Sequence, residues 1–129
     1  MWNGWPIHRI LFLLTGIIFL AISLQVYLFH SRQNFRHWAM YSPVLAGPLL
    51  GVLSILVAFY NLSWLRTILA LLFVVGTLQG VYGSVLHIAG IGQRVGGYQS
   101  QNVLIGPPVT LPALITGMSL LGLIALYWR

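Results

Sequence analysis

Four long apolar runs, divided by short polar punctuation, organise this chain. They cover roughly 8–29, 40–60, 64–88 and 107–128. Each is close to the ~20 residues that a helix needs to cross ~30 Å of hydrocarbon. None carries a charge in its middle. Stretches such as ILFLLTGIIFLAI and LLGVLSILVAF are continuously apolar. An outer-membrane barrel would instead show ~10-residue strands of alternating polarity. Within lipid every backbone polar group must be paired inside its own segment, so continuous apolar runs become helices. The pattern therefore predicts an all-α integral membrane protein. It is expected to be a single domain over 1–129, with four transmembrane helices in an antiparallel bundle.

The first run has features of a secretory leader: Arg9, an apolar stretch, and Ala21-Ile22-Ser23. It is read here as a retained first span. Four spans place both termini and the 61–63 turn on one side, side A. The connections at 30–39 and 90–106 share the other, side B. Arg9, Arg66 and Arg129 fall on side A, and Arg32, Arg36 and Arg94 on side B. The arginine count is tied and assigns no orientation. Trp2, Trp5, Tyr60, Trp64, Tyr127 and Trp128 mark side A, while Tyr27, Trp38, Tyr41 and Tyr98 mark side B. Two aromatic belts are what a spanning bundle presents to two headgroup layers. Helical spans point to a bacterial or organellar inner membrane of the cytoplasmic type.

Small residues predict where helices approach. Gly47 and Gly51 form one GxxxG; Gly76 and Gly80 form another, continued by Gly83 and Ser84; Ala113 and Gly117 make a weaker pair. The expectation is that the second and third helices meet through Gly47, Gly51, Gly76 and Gly80. Pro48 should kink the second helix by removing one hydrogen bond near the carbonyl of Val44. Thr110 and Pro112 are read as the N-cap and first turn of the fourth.

Composition sharpens the class. Hydrophobic residues make up 59% of the 129, and Asp and Glu are absent. Soluble domains devote about a quarter of their residues to charge, against 5% here. Without carboxylates there is no paired-acid glycoside hydrolysis, no ordinary calcium or magnesium cage and no acidic proton relay across the membrane. With zero Cys there are no disulfides, thiolate nucleophiles or Cys-ligated clusters. The net charge of +6 is split between two faces and makes no stripe for nucleic acid. Membrane lipids and acidic or membrane-embedded partner subunits suit it better.

The remaining chemistry gathers on side B. His30 ends the first span, His37 opens the second and His87 ends the third. Gln79, Gly83 and His87 follow i, i+4, i+8 and share a helix face; Tyr82 lies beside them and Arg94 just beyond. Neutral imidazole is a common haem ligand. Two histidines on neighbouring helices, with glycines beneath, would suit haem b, His87 and His30 holding the iron. A quinone would use the same set, with His or Gln as donor, Tyr beside the ring and Arg near the surface. The third reading is interfacial histidines bonded to headgroups or backbone. For Gln79 the alternatives are a ligand contact or a hydrogen bond joining helices. Glycines around Arg94 resemble a dinucleotide loop, but a membrane helix precedes them where a strand is required. The Asn61-Leu62-Ser63 sequon sits in too tight a turn for a glycan.

The expected function is a small, non-catalytic subunit of a larger membrane complex of redox or energy-converting type. It would anchor partners and contribute to a haem b or quinone site on side B. The alternatives are a small transporter or channel, opposed by the lack of charge within spans, and a purely structural accessory subunit without cofactor. An independent enzyme is disfavoured, since no nucleophile–base–orienter set can be assembled.

Overall fold

The computed structural model describes residues 1–128; Arg129 lies outside the described residues. The chain is 81% helical and, among the described residues, has no strands. Four helices are long and apolar enough to cross a membrane: α1 (Ile7–Arg32), α2 (Tyr41–Phe59), α3 (Ser63–Arg94) and, after the short α4 (Ser100–Ile105), α5 (Thr110–Tyr127). A 3-10 turn at Trp38–Met40 leads into α2.

The helices form a ring. α1 packs along α2 and α3 along α5, while the α1–α5 and α2–α3 seams are thinner. α1 and α3 therefore stand diagonally opposed. Phe12, Phe19, Leu50, Val57, Leu69 and Phe73 are fully buried along the axis. Large apolar side chains such as Leu45, Leu71, Leu78 and Leu120 point outward, as lipid-facing positions should.

The glycines are at helix contacts, but not the expected ones. A Cβ on Gly16 would meet the Gly51 carbonyl at 2.7 Å, and one on Gly51 would meet the Gly16 carbonyl at 3.0 Å. α1 and α2 thus touch backbone to backbone, and Gly47 faces Ser23 of α1. Gly80 abuts Pro112 and Thr116 of α5, and Gly76 meets Ser119 of α5 and the Leu50 side chain of α2. The predicted α2–α3 glycine seam is therefore corrected. Each GxxxG serves the pair joined by the longer, closer contact, α1–α2 or α3–α5. Gly117 has nothing within 4 Å and takes no part.

Two boundaries also shift. α3 continues through the glycines at 90 and 92 to Arg94, because Pro107 packs on Gly90 and Tyr98 on Gly92. Tertiary contact there outweighs the helix penalty of glycine. At ~1.5 Å per residue α3 is about 48 Å long and must project beyond the hydrocarbon layer. Its chain reverses through Gly96 and Gly97, at φ +88° and +117°. α5 begins at Thr110, whose side chain makes no cap bond; Val109 occupies the cap position. α2 runs unbroken across Pro48.

Side A is tied together by cations on helix ends. The last carbonyls of a helix lack intrahelical donors, and the helix dipole favours positive charge there. Arg9 Nε donates to Ala58 O at 2.8 Å, and Trp2 Nε1 to Val57 O at 2.7 Å, both at the end of α2. Arg66 donates to Leu126 O of α5 at 3.1 Å and to Asn61 Oδ1 at 2.9 Å. Arg9 also lies over the Trp5 ring at 3.7 Å. Arg9 and Arg66 are thus engaged in structure on side A.

Candidate functional site

A cavity of about 340 Å³ opens at the side-B end of the bundle, lined from α1, α3, α5 and the connections between helices. His30, His37, His87 and Arg94 all line it. Four of the six predicted site residues therefore converge. Gln33, Gln93 and the three prolines Pro107, Pro108 and Pro112 join them. Buried apolar side chains, Val26 and Ile115 among them, form the deeper wall.

His30 and His87 belong to the diagonal helices α1 and α3. They approach the cavity from opposed sides rather than from neighbouring helices, as the spacing alone suggests. His30 is buried, and its Nδ1 lies 2.8 Å from Met40 O. His87 Nδ1 lies 2.8 Å from Pro108 O. His37 differs, since its Nδ1 accepts the Ala39 N–H at 3.1 Å and caps the 3-10 turn.

The turn that delivers His37 is strained and braced. Asn34 and Phe35 both take left-handed backbone conformations, φ +52° and +46°. A left-handed aromatic residue is uncommon, and such conformations persist where the surroundings over-determine them, often beside functional sites. Here the Phe35 ring stacks on Tyr41 at 4.7 Å and contacts Tyr27 and His30. His37 in turn stacks on Trp38, and Trp38 on Tyr82 of α3.

Two predicted residues lie outside the cavity lining. Tyr82 is half exposed and acts only through Trp38. Gln79 Nε2 donates to Ser42 Oγ of α2 at 2.7 Å, while its Oε1 is buried without a partner. The Gln79–Gly83–His87 stripe therefore divides: its upper part faces the cavity and its lower part joins α3 to α2. Gln79→Leu should change bundle stability by about 0.6 kcal/mol and leave any ligand affinity of the side-B cavity unchanged. A titration of both properties on the purified variant checks this.

The glycines leave less room than the sequence suggests. A Cβ at Gly83 would meet Pro112 at 3.0 Å, and one at Gly90 would meet Pro107 at 3.1 Å. Prolines from the α5 entry fill both notches. Arg94 folds back along α3, its Nη1 3.7 Å from the Cβ position of Gly90. Sequence reasoning missed Pro107 and Pro108 as site residues. Pro108 contributes a carbonyl, and no side-chain chemistry could have announced it. Among the described residues no group of three or more His, Cys, Asp or Glu is placed to hold a metal ion.

No protein-family model, curated protein or solved structure matches this chain.

Proposed function

We propose that this chain is a non-catalytic subunit of a larger membrane complex of redox type, in a bacterial or organellar inner membrane. Its side-B cavity holds an electron-carrying ligand, haem b or a quinone. One observation carries the reading: His30, His37, His87 and Arg94 line a single cavity between diagonal helices, in a chain that has no acidic residue to neutralise them. A few convergent polar groups above an apolar wall are typical of small-molecule sites. The wide apolar exterior gives partner subunits and lipid a surface to cover.

The test is purification from native membrane in mild detergent. The chain is expected to run with other subunits on a native gel, and the complex to show a b-type haem band or to yield quinone on organic extraction. A lone chain carrying neither would overturn the proposal.

A further inference from the structure

The cavity's hydrogen-bonding pattern is more selective than its composition. A backbone carbonyl can only accept. The 2.8 Å contacts of His30 Nδ1 with Met40 O and of His87 Nδ1 with Pro108 O therefore place the ring proton on Nδ1 in both residues. In the neutral ring this leaves a bare lone pair on Nε2. His37 is the reverse, because its Nδ1 accepts from Ala39 N–H and its neutral ring carries the proton on Nε2. The residues that line one cavity thus carry two acceptor nitrogens on diagonal helices, a donor N–H on the connecting turn, and the Arg94 guanidinium. Buried Val26 and Ile115 make the wall below apolar.

We infer that the cavity binds the headgroup of a 1,4-quinol bearing an apolar tail. A quinol hydroxyl donates to His87 Nε2, and a ring oxygen accepts from His37 Nε2–H; His30 and Arg94 line the same space. A quinol offers hydroxyl donors and oxygen acceptors on one small flat ring, so it can engage both kinds of nitrogen. A haem could also satisfy both kinds of nitrogen, iron on the bare pair and a propionate on the His37 proton, so the available room and not the hydrogen-bond pattern separates the two. Pro107 and Pro112 also fill the glycine notches that would admit a broader ring. At about 340 Å³ the cavity lies near the lower end of the ~300–1,000 Å³ range of ligand sites. The inference rests on the side-B cavity being the ligand site proposed above.

The experiment titrates the full chain, in lipid nanodiscs under anaerobic reducing conditions, with a short-chain 1,4-benzoquinol. Tryptophan emission is the readout, since Trp38 stacks on His37. Saturable quenching is expected. His87→Asn keeps an N–H for the Pro108 carbonyl but removes Nε2. His37→Asn keeps an acceptor for Ala39 N–H but removes the Nε2 donor. Each should weaken binding about tenfold or more, the effect of one lost hydrogen bond in a buried site, with circular dichroism unchanged. His8→Asn, on side A, should bind as the native chain does. No saturable binding, or native affinity in either side-B variant, overturns the inference. If quinol fails but added haem gives a low-spin spectrum lost in His30→Asn and His87→Asn, the quinol assignment falls and the electron-carrier reading stands. If neither ligand binds, both fall.

Discussion

Gly80→Ala is expected to destabilise the bundle by about 1–3 kcal/mol, the usual range for overpacking a tight contact. The added methyl would lie 2.6 Å from the Pro112 carbonyl and 2.6 Å from the Thr116 amide nitrogen. Both are backbone atoms of α5, so no rotamer change relieves the clash and the helices must move apart. That separation also strains the Thr116 Oγ1 bond to Thr77 O, now 3.0 Å. Gly117→Ala, one helix away with open space around it, should instead be neutral or gain about half a kcal/mol from the lower flexibility of alanine. Unfolding midpoints in mixed detergent micelles compare the two. Equal midpoints would mean that α3 and α5 do not meet in this register.

This pair of glycines shows what was legible in the sequence and what was not. The four spans could be read because lipid enforces helices on long apolar runs, whatever their neighbours. Small-residue spacing marked Gly47, Gly51, Gly76 and Gly80 as contact points, and all four are in contact. Which helix each one meets depends on the order of helices around the ring. No periodicity within one span encodes that order, so the α2–α3 seam was expected where α1–α2 and α3–α5 seams occur. The end of α3 failed for a related reason. Gly90 and Gly92 look like loop residues until Pro107 and Tyr98, distant in sequence, pack against them.

The candidate site was legible to the same degree. Topology alone sends His30, His37, His87 and Arg94 to side B, and the structure brings all four to one cavity. Gln79 is one polar residue too deep to reach it. A helix face shared at i, i+4, i+8 does not say where a cavity ends. The ring tautomers depend on the carbonyls of Met40 and Pro108, and a carbonyl is present at every residue. Only the fold selects those two.

The second large effect is expected at the contact between Phe73 and Gly122. The Phe73 ring is fully buried, stacks on Phe19 of α1 at 6.3 Å and rests directly on Gly122 of α5. It therefore joins three helices. In water-soluble cores Phe→Ala costs about 3–5 kcal/mol. Part of that cost is transfer of the ring from water, a part that vanishes here because lipid tails are as apolar as the core. What remains is the unfilled cavity and the lost dispersion contacts. Phe73→Ala should accordingly lower stability by about 2 kcal/mol, less than in a soluble core but above most single substitutions. Gly122→Ala should destabilise by about 1–3 kcal/mol, because a Cβ there would run into the ring. The two changes are coupled through one space. With Phe73→Leu the ring is gone and a methyl at 122 has room, so Phe73→Leu/Gly122→Ala should be more stable than the sum of its single changes by about 0.5–3 kcal/mol, the range for contacting pairs. Strict additivity in that cycle would separate the two residues and remove the contact on which α1, α3 and α5 converge.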